Sequence, residues 1–408
     1  MKILHTSDWH LGQTLIDVKR DEEHRAFVAW LLDIVREHRI EVVLVAGDIF
    51  DNGMPGNQTL EIYYSFLAQA ASAGCRQVIV VGGNHDSPST LHAPRAILQR
   101  LNVTVVGAVS TECPDALIVP LHDDAGTLSA VVCAVPFLRD RDVYLPKLGE
   151  NDEERAKGIV TGIAHYYEQV AERADNLRRQ AGKPDAPIIA TGHLFARGGI
   201  TGEKERPIYI GNLGAFPAER FPKTFSYVAL GHLHRPQLVE NHARIRYSGS
   251  PLPLAFDEIG YDKQVIVFDT LAPADPQPIS VKTFRKLYTI AGDLPQIERQ
   301  VREIASHTSS DEIKPLVQAS YTGTELLPDL AEQVSEFCEN LPLRCFTLNR
   351  SPSKTVATEQ QYTDIRQLTP HQVFERRLES ETLSEADRKQ VTQAFDEIIA
   401  QLTTGEPS

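Results

Sequence analysis

Five short polar motifs, each just after an apolar run, constrain the fold of this chain more than any other feature. The runs are short and rich in β-branched residues, as buried strands are; they cover 3–4, 42–46, 78–81, 188–190 and 227–230. The motifs are Asp8-Trp9-His10, Gly47-Asp48-Ile49-Phe50-Asp51, Gly83-Asn84-His85-Asp86, Gly192-His193 and Gly231-His232-Leu233-His234. In open α/β sheets, sites form at the carboxyl ends of strands. We therefore expect these side chains to meet at one edge and form a metal centre.

Length and composition predict an ordinary globular protein of two or three domains. The chain has 408 residues, of which 42% are hydrophobic and 24% charged. Apolar runs all fall short of the roughly 20 residues that span a bilayer, and the first residues lack a signal-peptide pattern. Five cysteines without a CxxC pair predict reduced thiols and a cytoplasmic location.

The net charge of −14 bears on possible partners. A free-standing nucleic-acid-binding protein usually carries a basic face, so this balance argues mildly against DNA binding through bulk charge. Bound divalent cations and a partner subunit would both change the local field. The charge therefore leaves nucleic acid open as a substrate.

The order of strand-like and helical segments predicts the domain organisation. Alternation from Met1 to about Thr270 favours a layered α/β domain, and the three prolines of 271–279 predict a boundary. A βαβαβ pattern follows, then a polar linker and two amphipathic helices, the second with Val391, Phe395, Ile398, Ile399 and Leu402 on one stripe. The predicted units are 1–275, 281–350, the linker 351–368 and the helices 369–402.

The motifs contain the ligand types that a two-metal hydrolase needs. The candidate ligands are Asp8, His10, Asp48, Asn84, His193, His232 and His234. Asp48 is the natural bridge, because each of its two carboxylate oxygens can take one ion. Asp8 and His10 lie two residues apart, as do His232 and His234, so each pair can point to one side of an extended segment. Mixed Asp, Asn and His ligation suits manganese better than magnesium.

Two further residues are candidates for catalysis. His85 follows a ligand but faces away from it in extended backbone, which leaves it free as an acid or a phosphate contact. Asp86 can orient His85 by a hydrogen bond. Asp51 has two interpretations, one as part of the site and one as the cap of the next helix.

The motifs D-x-H, G-D-x-x-D, G-N-H-D, G-H and G-H-x-H, in this order, resemble those of the calcineurin-like metallophosphoesterases. Longer segments resemble the SbcD family of nuclease subunits within that group: 3–12 (ILHTSDWHLG), 45–51 (VAGDIFD), 83–87 (GNHDS), 229–235 (ALGHLHR) and 247–251 (YSGSP). The resemblance extends to chain length and to a second lobe followed by C-terminal helices.

The resemblance implies a four-layered α/β/β/α phosphoesterase domain, a small α+β capping domain and C-terminal helices. It also implies two Mn²⁺ ions, Mg²⁺ being less favoured. One ion would be held by Asp8, His10, Asp48 and His234, and the other by Asp48, Asn84, His193 and His232. His85 would act on the leaving oxygen or the transition state.

The implied activity is hydrolysis of phosphodiester bonds in double-stranded and single-stranded DNA. The family acts as an exonuclease on duplex ends and an endonuclease on single strands or hairpins. Its partner is the SbcC ATPase, which has a long coiled coil that the C-terminal helices would bind. The resemblance also implies that two copies of this chain form a homodimer within a heterotetramer, and that the complex is not attached to a membrane.

Two other functions use the same residues. A phosphatase or small phosphodiesterase shares the five motifs, although a small substrate needs neither the second lobe nor the terminal helices. A scaffold that tethers DNA ends without chemistry is the second alternative. The complete ligand set and His85 argue against it.

Overall fold

The computed structural model describes residues 1–109, 114–147, 149–201, 215–309, 312–323 and 329–348, together with Phe374, Val391, Thr392 and Phe395. Contacts within the chain divide it into two compact units, Met1–Asn349 and Arg350–Ser408. The candidate site lies entirely in the first unit.

The first unit contains two six-stranded sheets with mirrored designs. The first sheet has the order β14 (Ala272–Ser280), β13 (Gln264–Asp269), β1 (Lys2–Thr6), β4 (Val42–Ala46), β5 (Gln77–Val81) and β6 (Val103–Val106). The second has the order β11 (Gln237–Val239), β12 (His242–Tyr247), β10 (Phe225–Gly231), β9 (Ile188–His193), β8 (Leu128–Cys133) and β7 (Ile118–His122). Four neighbouring strands are parallel in each, namely β1, β4, β5 and β6 in the first and β12, β10, β9 and β8 in the second.

Helices cover the outer faces of the two sheets. They are α1 (Asp21–His38), α2 (Asn57–Ser72), α3 (Pro88–His92), α4 (Arg95–Arg100), α5 (Asp140–Val143) and α6 (Asp152–Gln180). A two-stranded ribbon of β2 (Thr14–Leu15) and β3 (Val18–Lys19) precedes α1. Connections between parallel strands need a crossover, usually a helix, which is why helices separate the strands of the sequence.

The apolar strands of the first sheet bury both faces, which explains why their sequences are continuously hydrophobic. Leu44 and Ile79 belong to the core shared with the second sheet. Their neighbours Val43 and Val80 belong to a second core with Phe27 of α1 and Phe66 of α2, among others. Side chains alternate between faces along a strand, so the sheets lie between helices. The predicted α/β/β/α phosphoesterase layering is confirmed.

A smaller lobe follows with its own sheet and core. Its elements are β15 (Arg285–Gly292), α7 (Leu294–Ser306), β16 (Ile313–Tyr321), α8 (Leu330–Cys338) and β17 (Arg344–Leu348). The three strands are parallel in the order β15-β16-β17, and Ile297, Val301 and Val334 pack beneath them. The predicted βαβαβ pattern is confirmed, but α/β describes the lobe better than α+β, because its helices are crossovers between parallel strands.

The proline-rich segment 271–279, predicted to be a boundary, forms most of edge strand β14 instead. Ile266 of β13 pairs with Pro278, and Val267 pairs with Gln277. Proline lacks the N–H that a central strand donates, yet it is tolerated on an edge. Composition alone therefore misidentified a strand as a domain boundary.

A buried ion cluster attaches the small lobe to the α/β/β/α layers. The Glu23 carboxylate on α1 accepts hydrogen bonds from Arg20 and from Arg285 of β15, whose Nε lies 2.6 Å from Oε1. All three side chains are buried. Arg20 also donates to the Gln13 side chain (2.8 Å), and the Gln13 backbone N–H donates to the carbonyl of His10 (3.0 Å). The lobe is thus connected to the loop that carries a candidate ligand.

The predicted linker 351–368 and C-terminal helices 369–402 lie outside the described residues, apart from four positions in the second unit. There the Phe374 ring stacks on that of Phe395, with centroids 3.9 Å apart, while Val391 is 42% exposed. Of the five cysteines, the four in the described ranges are free thiols. No helix in those ranges is long and apolar enough to cross a membrane.

Candidate metal centre

The parallel strands of both sheets bring the five motifs to one edge of the molecule. β1, β4 and β5 end just before Asp8, Asp48 and Asn84, whereas β9 ends at His193 and β10 ends just before His232. All these positions are carboxyl ends of parallel strands, as the sequence predicted. The seven predicted ligands therefore surround the junction between the two sheets.

Hydrogen bonds join the two sheets at this junction. The backbone N–H of His232 donates to Asp8 Oδ1 at 2.9 Å, and Asp8 Oδ2 accepts from the Ser7 hydroxyl. The His193 ring donates through Nδ1 to the carbonyl of Ala46 at 3.0 Å. The bonds of His232 and His193 run from one sheet to the other, and the Ser7 bond fixes the Asp8 carboxylate within its own loop. The ligands are therefore held before any ion binds.

Asp48 occupies the centre of the cluster. Its Oδ2 lies 3.7 Å from His10 Nε2 and 3.2 Å from His193 Nε2. These two rings come from different sheets. Three groups of side chains have atoms close enough to hold an ion: Asp8, His10 and His234 in the first, Asp48, His193 and His232 in the second, and His10, Asp51 and His85 in the third. Asn84 joins the second group, since its Oδ1 lies 3.0 Å from His193 Nε2 and 3.2 Å from His232 Nδ1. The cluster is thus a dimetal site of Asp, Asn and His groups.

One buried atom tests whether the residues fit metal ions. His10 Nε2 is fully buried and has no hydrogen-bond partner, although a buried polar atom without a partner costs about 1–3 kcal/mol. Its ring faces Asp48, and its other nitrogen is already bonded to Asp51. A cation between His10 and Asp48 would satisfy this nitrogen. The residues therefore fit the ions that the motifs imply.

The backbone is strained at four predicted ligands. Asp8, His10, Asp48 and His232 have φ values of 53°, 45°, 48° and 103°, a region that residues other than glycine rarely adopt. Such conformations cost about 1–3 kcal/mol each and cluster at functional sites. The fold therefore gives up stability to aim these side chains.

Two glycines allow the ligand loops to approach one another. Gly47 has φ +92°, and a Cβ there would collide with the imidazole of His193. A Cβ on Gly83 would collide with the Asp48 carboxylate. Any larger residue at position 47 would displace His193, and any larger residue at position 83 would displace Asp48.

The charges of Asp48 and His193 are strongly linked in the metal-free centre. Burial raises the pKa of Asp48, but the charge and hydrogen bond of His193, together with His10 and His85, outweigh burial and hold that pKa well below its usual value. Burial lowers the pKa of His193, but the charge and hydrogen bond of Asp48, together with Asp8 and the Ala46 carbonyl, outweigh burial and raise that pKa to about 9. His193 is therefore protonated at neutral pH until a metal ion replaces the proton.

This proton predicts how metal binding depends on pH. Imidazole binds metal only when it is neutral, so the affinity for a divalent cation should rise with pH until about 9, the pKa of His193. At about pH 7, binding should release about one proton per centre. Calorimetric titrations in buffers of different protonation enthalpy measure both quantities. An affinity that stays constant from neutral pH to about 9 would contradict this charge assignment.

His85 lies beside the centre but its neighbours differ from the prediction. Its ring centroid is 4.9 Å from that of His10, and its Nδ1 donates to the backbone carbonyl of Asp51 at 2.8 Å. Asp86 does not bond this ring. Its carboxylate instead accepts backbone N–H groups of Ile49, Phe50 and Gly83. The predicted orientation of His85 by Asp86 is wrong, because the Asp86 side chain points back under the loop.

Asp51 does not cap the next helix. α2 begins at Asn57 with Gly56 as its N-cap, and the Asp51 Oδ1 lies 3.3 Å from His10 Nδ1. The helix-cap interpretation is therefore wrong. Sequence reasoning missed Glu258 altogether, whose buried carboxylate lies 3.1 Å from His234 Nδ1. Glu258 stands in no recognisable motif, and the only signal is an acidic pair after an apolar stretch.

Comparison with known proteins agrees with this geometry. Residues 1–236, which hold every predicted ligand, match the family model described as calcineurin-like phosphoesterase. Residues 283–382 match the SbcD_C model, described as the type 5 capsule protein repressor C-terminal domain.

Three relatives are each named as the D subunit of the nuclease SbcCD. The Escherichia coli K12 protein is 37% identical over 399 residues, 97% of each chain. The Rhodobacter capsulatus protein is 36% identical, over 92% of this chain and 93% of its own. The Bacillus subtilis protein is 34% identical over 66% of each. Since the similarity spans nearly the whole chain and the phosphoesterase model covers more than half of it, the chain belongs to the SbcD family of calcineurin-like metallophosphoesterases.

Proposed function

We propose that this protein is a manganese-dependent DNA nuclease subunit that acts with an SbcC-type ATPase in DNA end processing, repair and recombination. It would act as an exonuclease on duplex ends and as an endonuclease on single strands or hairpins. The observation that carries the proposal is the Asp48 carboxylate between the two histidine groups, since a bridging carboxylate is the core of a two-metal phosphoesterase. The naming of the relatives as nuclease subunits supports DNA as the substrate.

The ligand assignment follows the first two groups of side chains, to which Asn84 and the shared Asp48 are added. Asp8, His10, Asp48 and His234 would hold one ion, and Asp48, Asn84, His193 and His232 the other. Mixed nitrogen and oxygen ligation favours Mn²⁺ over Mg²⁺. When bound, two such cations supply positive charge for the scissile phosphate and a nucleophile at neutral pH.

The chain's own residues add orientation and a proton. Because His85 Nδ1–H is donated to the Asp51 carbonyl, Nε2 is the nitrogen that can face a substrate. When protonated, Nε2 would donate its proton to the leaving oxygen. Asp86 would act as a positioning residue, since its carboxylate accepts the backbone N–H of Ile49, directly after Asp48, and that of Gly83, directly before Asn84. Asn84 and His85 are the half-exposed members of the set, which suits contact with a phosphodiester.

The small lobe favours DNA over a small substrate. Arg285 of β15 is tied through Glu23 and Arg20 to the loop that follows His10. A phosphomonoester needs no second lobe beside the centre. We therefore assign 1–275 as the nuclease domain and 281–350 as the capping domain.

A substrate comparison tests this choice. With Mn²⁺, the protein should degrade labelled duplex and hairpin DNA and turn over p-nitrophenyl phosphate poorly. Rapid hydrolysis of the phosphomonoester with intact DNA would favour the phosphatase alternative. If the protein binds two ions but hydrolyses neither DNA nor the phosphomonoester, the scaffold alternative would be favoured.

The C-terminal helices would bind the partner near the root of its coiled coil. Two copies of each protein would form the complex, in the cytoplasm and away from membranes. Deleting 370–408 should leave metal binding and Mn²⁺-dependent cleavage by the isolated chain within about twofold. It should abolish co-purification with the partner and any stimulation by ATP. A truncated chain that aggregates or melts much earlier would place these helices in the protein's own core instead.

A point variant separates docking from folding. Val391 is 42% exposed, so Val391→Asp should not unfold the chain, whereas an apolar interface would bury its charge. We expect the affinity for the partner to fall at least about tenfold, which is about 1.4 kcal/mol. Leu271→Asp is the matched control, because Leu271 is an apolar side chain 91% exposed at the β13–β14 turn. Equal binding by both variants and the unmodified protein would contradict docking through Val391.

A further inference from the structure

Two imidazoles of the centre are backed by carboxylates that are not among the seven predicted ligands. His10 Nδ1 lies 3.3 Å from Asp51 Oδ1, and His234 Nδ1 lies 3.1 Å from Glu258 Oε1. In each ring, an Nδ1–H donated to a carboxylate leaves Nε2 as the nitrogen available to a metal ion. Both rings belong to the same group, the one that contains Asp8.

The other two imidazoles are supported differently. His193 donates through Nδ1 to the backbone carbonyl of Ala46, which carries no formal charge. His232 directs Nδ1 toward the Asn84 amide oxygen, inside the centre. Within the described ranges, neither ring hydrogen-bonds a carboxylate outside the ligand set. The two metal positions therefore differ in the charge behind their histidines.

Glu258 is held firmly in its place behind His234. Its Oε2 accepts the backbone N–H of Leu254 at 3.1 Å and the ammonium of Lys263. Lys263 also donates to the Ser250 hydroxyl at 2.8 Å and to the backbone carbonyl of His234 at 3.1 Å. Glu258 is only 2% exposed. One buried ion pair thus fixes both the ring and the backbone of His234.

A carboxylate behind an imidazole fixes the tautomer and raises the basicity of the coordinating nitrogen, and losing it typically costs about 10–100-fold in metal affinity. We propose that Asp51 and Glu258 are positioning residues that make the Asp8–His10–His234 position the tighter of the two, so that the centre fills in a fixed order. The inference rests on the proposed two-metal function and adds an order of occupancy to it.

Manganese titration of the full-length protein tests the order. Free Mn²⁺ is counted by its six-line electron paramagnetic resonance signal, without any assay of activity. The unmodified protein should bind two ions in steps that differ by about tenfold or more. Asp51→Asn and Glu258→Gln should each weaken the tighter step by about 10–100-fold and reduce the separation between the steps.

Two controls remove paired carboxylates outside the centre. Asp269→Asn removes a carboxylate 39% exposed, as against 35% for Asp51; Asp269 lies on β13 beside the start of β1, whereas the ligand loop follows the end of β1. Asp175→Asn removes a carboxylate of α6 that is 21% exposed and paired with two arginines of the same helix. Both controls should retain two separated steps, whatever their melting temperatures.

Three results would overturn the inference. The first is that the unmodified protein binds its two ions with equal affinity. The second is that neither variant weakens the tighter step. The third is that both variants weaken the two steps equally. If Glu258→Gln fails to fold, Asp51→Asn decides alone, because its side chain is partly exposed. Two ions bound in equal steps with DNA cleavage intact would contradict this inference and leave the nuclease proposal standing. Two separated binding steps without DNA cleavage would support this inference and contradict the nuclease proposal.

Discussion

Replacing Asp48 with alanine should remove nuclease activity together with most of the bound manganese. Asp48 lies within 3.7 Å of His10 Nε2 and 3.2 Å of His193 Nε2, so both ions would lose a shared ligand. Removing a single electrostatic donor from an active site costs about 10²–10³ in turnover. Losing both ions should cost more, at least about 10³-fold. Elemental analysis and digestion of labelled duplex measure the two losses.

The isosteric variant Asp48→Asn controls for shape. It keeps the side-chain volume and removes the charge that holds the His193 proton. We expect it to match the alanine variant in activity. If either variant still binds two ions per chain, Asp48 is not the bridging ligand.

Replacing His85 with asparagine should lower turnover by about 10²–10⁴-fold, the usual contribution of a general acid or base, and leave the metal content intact. His85 is half-buried, and its Nδ1 is occupied by the Asp51 carbonyl. Its role is therefore in the reaction rather than in holding an ion. Turnover and elemental analysis on the same sample separate the two effects.

The outcomes for His85 are distinct. A variant that cleaves DNA at the normal rate would exclude His85 from the reaction. A variant that loses an ion would make it a ligand, through the nearby group of His10, Asp51 and His85. A lower turnover with two ions bound, together with loss of one limb of the pH–rate profile, is the result we expect.

The fold and the ligand cluster were accessible from sequence because both depend on local patterns. The segment 42–51 is an example, because its sequence shows an apolar run followed by polar turn residues. In the structure, the apolar side chains of this run enter two cores and the chain then turns at Gly47. Parallel strands must end on the same edge. Motifs that follow such strands must therefore be near one another.

Contacts between distant segments were not accessible in this way. Glu258 reaches His234 only through the tertiary path of 248–263, and no spacing rule relates the two positions. Asp86 was misread because its sequence neighbour suggested a bond, whereas the loop directs its carboxylate to backbone N–H groups.

The edge strand β14 was missed for a different reason. Its prolines obscured a strand whose pairing partner, β13, precedes it by only a few residues.

The most direct test of a two-metal DNA nuclease is the rate of duplex cleavage as a function of bound manganese. Metal-free protein, loaded stepwise with Mn²⁺, should remain almost inactive until the second ion binds, and the rate should then follow the occupancy of the second step. EDTA should abolish cleavage. Full cleavage with one ion, or any cleavage that survives EDTA, would contradict the account.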